Sequence, residues 1–377
     1  MKQIQMVDLT GQYSRIKEEI DSAIHGVIDT TAFIKGPDMR LFEEELAAWL
    51  QAGYVISCGN CTDALQIALM SLDLQPGDEV ITTPFSFIST IEVIRLLKLV
   101  PVLVDIRPDT FNIDENLIER VISDHTKAII PIHLFGQCAR METIMEIANR
   151  NKIHVIEDAA QAIGTDYFFS NGSKKKAGTL GIIGCTSFFP TKNLACYGDG
   201  GALFTNDEKL AVKLRAIVNH GQSQKYYYDF VGVNSRLDTL QAAILRVKLK
   251  YLKEFNNARI KAAEYYDKAF SPYPRIIIPH RVEYSSHTFH QYTLTIYGSN
   301  RDGLKNYLKD NHIPSMVYYP LPFHLQKAFL DMNYREGDFP VAEEMSISVL
   351  SLPMHTELDE EQLAYITNHV IQYINSH

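Results

Sequence analysis

The stretch SFFPTKNLACYGDGGALFTN, from Ser187 to Asn206, joins two apolar runs through a segment with one lysine and several glycines. The runs CTSFF and GALFT have the short, apolar and β-rich composition of buried strands. Lys192 follows the apolar residues 188–190 and precedes glycines at 198, 200 and 201. A lysine that only keeps a chain soluble usually lies among polar residues. Lys192 is therefore a candidate for chemistry rather than for solvation.

Similar runs recur before this stretch and alternate with segments of helical spacing, such as TDALQIALMSL and METIMEIANRN. The predicted strands, in chain order, are YVISC, DEVITT, PVLVDI, KAIIPIH, IHVIED, CTSFF and GALFT. Apolar strands that alternate with helices form parallel sheets covered on both faces. We therefore expect an α/β fold, a three-layer domain around a mostly parallel sheet of about seven strands.

From residue 238 the pattern changes to a long helix, with an apolar stripe that includes Leu240, Ile244, Val247 and Leu252. A smaller portion containing HQYTLTIY and SMVYYPLPFH follows. We predict a large α/β domain at residues 1–250 and a small C-terminal α+β domain at residues 251–377.

The composition limits the partners and the location. The 377 residues are 46% hydrophobic, and the net charge of -9 gives no electrostatic reason to expect binding to nucleic acid. The first residues lack the apolar core of a signal peptide, and charged residues and Pro101 interrupt the most apolar region, residues 80–106. Five cysteines, an odd number, fit reduced thiols. We expect a cytoplasmic protein without membrane or nucleic-acid partners.

Polar groups follow three of the predicted strands, and in open α/β sheets ligands bind beyond the carboxyl ends of strands. These groups are Glu157, Asp158 and Gln161 after one strand, Thr62 at a helix start after another, and Ser187 and Lys192 after a third. A helix start binds anions through free N–H groups and its dipole. An amine, a carboxylate and an anion site together are what pyridoxal phosphate requires, for its Schiff base, its protonated ring nitrogen and its phosphate.

Simpler interpretations exist for each residue taken alone. Asp158 and Thr62 could cap helices, Lys192 could lie at the surface and Phe87 could be core. Cys58 and Cys61 have the C-x-x-C spacing of a redox pair. A zinc site would need more ligands at similar spacing, and the other three cysteines are scattered, so no metal site is expected.

Ordered segments along nearly the whole chain carry a family resemblance. They are GNCTDALQIALMSLDLQPGDEVITTPFSF, IPIHLFGQCA, VIEDAAQAIG, TSFFPTKNLACYGDGGALFTND and VGVNSRLDTLQAAIL. The chain resembles the DegT/DnrJ/EryC/StrS family of pyridoxal-phosphate-dependent nucleotide-sugar aminotransferases, which have the aspartate-aminotransferase fold, fold type I.

The resemblance implies roles for particular residues. Lys192 would form the Schiff base, Asp158 would pair with the ring nitrogen, Gln161 would contact the phenolic oxygen and Phe87 would stack on the ring. The phosphate would be held by groups from two places in the chain and from a neighbouring subunit, which implies a homodimer. These groups are Ser187, Thr62 and the backbone at Cys61, with Asn234 from the neighbouring subunit.

The resemblance also indicates a reaction. Lysine at 192, where dehydrating relatives have histidine, favours transamination with L-glutamate as the donor. The chain looks closest to enzymes that aminate the 3-keto group of UDP-2-acetamido-2-deoxy-glucuronate for lipopolysaccharide or other surface polysaccharide. Arg236 would bind the uronate carboxylate through its fork of donors. His220, Tyr318 and Tyr319 would assist in binding the sugar.

Two departures and three alternatives accompany this interpretation. Cys61 stands where relatives have glycine, and Tyr318 where they tend to have histidine. The substrate could instead be a 3-keto or 4-keto deoxysugar linked to dTDP or UDP. From other classes, a non-catalytic regulatory or binding protein of the same fold and a thiol-redox protein stay open.

Overall fold

The structure, a computed structural model, describes residues 2–297 and 300–377. Its strands are β1 (Tyr54–Cys58), β2 (Glu79–Thr82), β3 (Val100–Leu103), β4 (Thr126–Ile129), β5 (His154–Asp158), β6 (Asp166–Phe168), β7 (Lys174–Lys176), β8 (Ile183–Ser187), β9 (Gly201–Thr205), β10 (Gln222–Gln224), β11 (Tyr227–Tyr228), β12 (Ile276–Ile277), β13 (Tyr292–Ile296) and β14 (Val349–Leu352). Its α-helices are α1 (Leu9–Arg15), α2 (Lys17–Thr30), α3 (Pro37–Leu50), α4 (Cys61–Ser71), α5 (Ser89–Leu96), α6 (Met141–Asn151), α7 (Glu208–Ile217), α8 (Thr239–Phe270), α9 (Arg301–Asp310), α10 (Pro340–Ser348) and α11 (Glu360–Ser376). None of these helices is long and apolar enough to cross a membrane.

The main sheet consists of the seven strands that the sequence predicts. Their order is β1-β9-β8-β5-β4-β2-β3. The ladders β2–β3, β2–β4, β4–β5 and β5–β8 are parallel, whereas β9 runs antiparallel to both β1 and β8. The predicted fold class, a mostly parallel α/β sheet of about seven strands, is confirmed.

Helices cover both faces of this sheet. Neighbouring residues of β1 show the alternation, because Ile56 packs in a core with α4, α5 and α7 while Val55 packs in a core with α3 and α8. Further along the sheet, α6 adds Ile144 and Ile147 to the core on Val155. Burial on both faces explains why these strands are almost continuously apolar.

The C-terminal part is built around a three-stranded antiparallel sheet, β12-β13-β14, packed against α8, α9 and α11. The helix α8 runs through both parts: Leu245 and Leu252 pack in the core of the main sheet, and Tyr266 and Phe270 pack in the C-terminal core. The boundary near residue 250, which lies inside this helix, stays a prediction.

A buried carboxylate, Glu157, fixes the segment that leads into β8. Its oxygens accept hydrogen bonds from the backbone N–H groups of Gly178 (2.8 Å), Leu180 (2.6 Å) and Gly181 (2.6 Å). His133 lies 2.8 Å away through Nε2, and its Nδ1 accepts the N–H of residue 139, so Nε2 carries the proton and donates to Glu157. Both side chains are fully buried. The Glu157 carboxylate therefore accepts four hydrogen bonds, which compensate for its loss of hydration.

Replacing Glu157 with alanine should lower the free energy of unfolding by about 3–5 kcal/mol, because several buried donors would lose their acceptor at once. Glu157→Gln should cost less, since it keeps one acceptor oxygen in place. Urea denaturation measures both. Glu119→Ala is the control: this exposed carboxylate pairs with exposed Arg150, and its loss should change stability by less than about 0.5 kcal/mol. Equal effects of Glu157→Ala and Glu119→Ala would contradict the structural role of Glu157.

Candidate active site

A cavity of about 620 Å³ opens at the carboxyl ends of β5 and β8. It gathers residues that are far apart in the sequence, including most of the predicted site. The predicted residues that line it are Cys61, Thr62, Phe87, Asp158, Gln161, Ser187, Lys192, Tyr318 and Tyr319. His220, Asn234 and Arg236 are the predicted residues that do not line it.

Lys192 lies on the loop that connects β8 to β9. The loop is closed by backbone hydrogen bonds from Phe188 to Gly200 (2.8 Å) and from Cys196 to Phe188 (2.8 Å). Among the described residues, the Lys192 amine has no hydrogen-bond or ion-pair partner. Burial lowers the pKa of Lys192 below its usual value, although Cys61 and Asp158 nearby oppose this shift. The lowered pKa increases the fraction of neutral, nucleophilic amine.

Asp158 is the last residue of β5 and is 7% exposed. Its Oδ2 accepts a hydrogen bond from the hydroxyl of Thr90 (2.8 Å), and its Oδ1 accepts one from the N–H of Ala160 (3.1 Å). Burial raises the pKa of Asp158 despite these two hydrogen bonds. A buried carboxylate with only neutral partners favours a cationic ligand, which would compensate for its lost hydration.

The start of α4 provides an anion site. Asn60 caps the helix through Oδ1, which accepts the N–H of Asp63 (2.8 Å), so the cap is not Thr62. The N–H groups of Cys61 and Thr62 have no acceptor among the described residues, and the Thr62 hydroxyl lies 2.7 Å from that of Ser89. The backbone of β9 approaches this turn so closely that a Cβ at position 201 would lie 2.5 Å from the carbonyl carbon of residue 60, which requires glycine there.

The two cysteines of the C-x-x-C spacing are free thiols in this turn. Cys58 and Cys61 are both buried, and burial raises the pKa of each thiol above its usual value. A thiol that stays protonated is a poor nucleophile and a poor metal ligand. The side chain of Cys61 packs into the core beside β1 and β8, so cysteine in place of glycine leaves the backbone donors of the turn free.

Aromatic side chains and one amide line the rest of the cavity. Gln161 is held by the N–H of Phe135, which donates to Oε1 (2.8 Å), and its Nε2 donates to the hydroxyl of Tyr319 (3.1 Å). Phe87 is 57% exposed, which excludes its interpretation as core and leaves its ring available to a planar ligand. Tyr318 lies beside Tyr319 with ring centroids 5.7 Å apart.

The cavity also contains residues that the sequence did not single out. His290 and Gln291 enter from the C-terminal part, Ser89 from the start of α5 and Asp199 from the loop between β8 and β9. Burial, with smaller contributions from Lys192 and Arg259, lowers the pKa of His290 well below its usual value, so its ring is neutral. No local sequence pattern marks these four residues as part of a site.

The three predicted residues outside the cavity lie close together in the segments around residues 220 and 235. Asn234 forms an isolated backbone bridge with Asn219, and Nη1 of Arg236 donates to Oδ1 of Asn219 (3.5 Å). Asn234 and His220 are exposed. Ser235 anchors this segment to the start of α4, because its hydroxyl donates to Asp63 (2.6 Å) and accepts the N–H of residue 59 (2.9 Å).

The groups in the cavity fit pyridoxal phosphate. The free amine of Lys192 suits its aldehyde, the buried carboxylate of Asp158 suits its protonated ring nitrogen, and the unused N–H groups at the start of α4 suit its phosphate.

Comparison with known proteins supports this fit. Residues 14–371 match the model of the DegT/DnrJ/EryC1/StrS aminotransferase family. Curated relatives include a "pleiotropic regulatory protein" of Geobacillus stearothermophilus, 46% identical over 98% of both chains. A UDP-2-acetamido-2-deoxy-3-oxo-D-glucuronate aminotransferase of Pseudomonas aeruginosa is 44% identical over 96% of this chain and 98% of the relative. A dTDP-3-amino-3,6-dideoxy-alpha-D-galactopyranose transaminase of Aneurinibacillus thermoaerophilus is 37% identical over 98% and 99%.

Solved structures show the same fold. A DegT/DnrJ/EryC1/StrS aminotransferase from Brucella abortus superposes with a TM-score of 0.93 at 38% identity, over 98% of this chain and 99% of that one. NtdA of Bacillus subtilis, solved with the bound cofactor PMP, superposes with a TM-score of 0.87 at 34% identity, over 95% and 82%. Aminotransferases of this family bind pyridoxal phosphate, which confirms the predicted cofactor at the level of the family. The chain is a member of the DegT/DnrJ/EryC1/StrS aminotransferase family and, with it, a sugar aminotransferase.

Proposed function

We propose that the protein moves the amino group of L-glutamate to the 3-keto group of UDP-2-acetamido-2-deoxy-glucuronate, in the synthesis of a surface polysaccharide such as lipopolysaccharide. The observation that carries the proposal is the free, partly buried amine of Lys192 in the same cavity as the buried carboxylate of Asp158. The named activity of the Pseudomonas aeruginosa relative supports the choice of sugar.

Each residue of the cavity has a role in this reaction. Pyridoxal phosphate, when bound, supplies an electron sink that lets a proton leave the carbon next to the amine. Lys192 would hold the cofactor covalently and, once displaced by the amino donor, would take the proton from Cα of that donor with Nζ. Asp158 would keep the ring nitrogen protonated, and Gln161 would orient the ring through its remaining donor.

The end of the cavity at the start of α4 would bind the cofactor phosphate and so fix the position of the cofactor relative to Lys192 and Asp158. The N–H groups of Cys61 and Thr62 and the hydroxyls of Thr62 and Ser187 would bind the phosphate, aided by the dipole of α4. Phe87, with its exposed ring, would cover one face of the cofactor. Together these contacts would orient the Cα–H bond of the donor toward Lys192.

The substrate carboxylate would be bound by Arg236, which lies outside the cavity of its own chain and would act in a site shared between subunits. Its guanidinium has no carboxylate partner among the described residues, and Lys35 nearby adds a second positive charge. His220, Tyr318 and Tyr319 would contact the sugar. The 37% identical relative acts, by its name, on a dTDP-linked deoxysugar, so 3-keto and 4-keto deoxysugars of dTDP or UDP are the competing substrates.

We also propose that the enzyme is a homodimer whose subunits share active sites. Asn234, expected at the cofactor phosphate, lies outside the cavity of its own chain. Its surroundings are rich in exposed apolar side chains, as an interface requires. These side chains are Phe33, Ile34, Tyr226, Tyr227, Tyr228 and Val231. A cytoplasmic location, without membrane or nucleic-acid partners, stays a prediction from composition.

Lys192→Ala should reduce glutamate-dependent turnover by about three orders of magnitude or more, because one change removes the covalent anchor and the proton acceptor. The variant should still bind pyridoxal phosphate weakly. Visible absorption of the bound cofactor, followed before and after addition of glutamate, measures the half-reaction. Lys250→Ala, at an exposed lysine paired with Glu19, is the control and should behave as wild type.

Wild-type-like turnover by Lys192→Ala would contradict the assignment of the lysine. No spectral change in the wild type, even with added pyridoxal phosphate, would instead favour a regulatory protein of the same fold, as the name of the 46% identical relative suggests for that relative.

Arg236→Lys should raise KM for the 3-keto uronate by about tenfold or more, because lysine keeps the charge but loses the fork of donors. The glutamate half-reaction should not change. The matched comparison is the same UDP-linked 3-keto sugar with a neutral hydroxymethyl group, for which the variant should resemble the wild type. An equal loss with both sugars would exclude a role for Arg236 in recognising the carboxylate.

Mixed dimers test the sharing of active sites. Lys192→Ala and Asn234→Ala should each be impaired alone, but a mixed dimer contains one site with both native residues if Asn234 acts in the partner's site. Turnover should therefore recover when the two variants are unfolded together and refolded. The absence of recovery in isolated mixed dimers would place Asn234 in its own subunit's site.

A further inference from the structure

Lys248 is a lysine in the interior of the protein. Its side chain is 1% exposed, and its Nζ has no hydrogen-bond partner among the described residues. The Nζ atom lies 4.5 Å from the centroid of the Tyr197 ring. The hydroxyl of Tyr197 is buried and without a partner as well. Buried polar atoms of this kind are rare in native proteins, and each requires an explanation.

Tyr197 belongs to the loop that carries Lys192 into the cavity. This loop is attached to α8 at two other points: Gln241 binds both the N–H (2.9 Å) and the carbonyl (3.2 Å) of Tyr197, and Asn256 accepts a hydrogen bond from Asn193 (2.7 Å). Lys248 lies about two helical turns from each of these points, so it occupies the same side of α8. It is the middle of three supports beneath the loop.

Lysine at this position does not serve the stability of the fold. Burial lowers the pKa of Lys248 to about 8, so at neutral pH the protein carries a desolvated charge without a hydrogen bond. A methionine would fill a similar volume without that cost. Residues that lower stability in this way persist where function needs them.

We propose that Lys248 is a positioning residue: its ammonium group, held over the ring of Tyr197, keeps the loop of residues 188–200 in the conformation that places Lys192 in the cavity. The cation–π contact is strong because the site excludes water. The inference rests on the proposed role of Lys192 in transamination.

The cation–π contact requires the charged form of Lys248, so the contact depends on pH. Cys196 of the loop is the titratable group that interacts with Lys248 itself. Asp199 interacts with Cys196, and Tyr13 of α1 and Asp21 of α2 interact with Tyr197. Burial raises the pKa of both Cys196 and Tyr197 to about 12. The lowered pKa of Lys248 means that the contact is present below pH 8 and is lost as the pH rises through that value.

Hydrogen exchange on the full-length protein tests this inference without relying on turnover. At pH 7, amides of residues 188–200 should exchange about tenfold faster in Lys248→Met than in the wild type, the scale of one desolvated cation–π contact. The urea midpoint of the variant should be equal or higher, because a buried charge is removed. Lys250→Met, at the exposed lysine on the same helix, should change neither quantity.

Three outcomes would overturn the proposal: unchanged loop exchange in Lys248→Met, faster exchange together with a lower urea midpoint, or a difference that persists at about pH 9.5, where the wild-type lysine is neutral. Glutamate-dependent turnover, followed in parallel, should fall in Lys248→Met at pH 7 because Lys192 is misplaced. A wild type without turnover would contradict the proposed function, whereas loop exchange decides the role of Lys248 in either case.

Discussion

Two neighbouring carboxylates at the end of β5 control the architecture of the site. Successive side chains of a strand point to opposite faces, and the two residues have different surroundings. Glu157 is surrounded by three backbone N–H groups and a histidine donor. Asp158 accepts only one hydroxyl and one N–H. The first carboxylate is fully satisfied and stabilises the fold, whereas the second retains capacity for a cation from outside.

The other parts of the site depend on that strand. The turn before β8 is held by Glu157, and β8 pairs in parallel with β5, with Asp158 opposite Cys185. The loop after β8 therefore begins beside Asp158 and returns along α8, which supports it at Gln241 and Asn256. Lys192 is placed by a strand, a helix and a loop closed by backbone hydrogen bonds, and its proposed role in proton transfer requires such rigidity.

Much of this arrangement can be predicted from the sequence, for a physical reason. Parallel strands bring their carboxyl ends to one edge, so polar residues that follow apolar runs, such as Asp158 and Lys192, must meet. Thr90 and His290 could not be predicted, because their contacts with the site join residues distant in sequence and no local pattern marks them. Arg236, predicted for the same site, does not line the cavity, and sequence spacing alone could not show this. The domain boundary near residue 250 could not be located from the sequence, because it lies inside α8, whose two halves pack in different cores.

Several of the polar groups that lack a partner among the described residues lie around one loop and one helix start. They include the Lys192 and Lys248 amines, the N–H groups at the start of α4 and the remaining capacity of Asp158. Each lowers the stability of the fold, since burial without a partner costs free energy. A ligand with an electrophilic carbon, a cationic ring and a phosphate would satisfy the groups in the cavity together. A cofactor that satisfies these groups would therefore stabilise the folded protein when it binds, through the same residues that we propose for the chemistry.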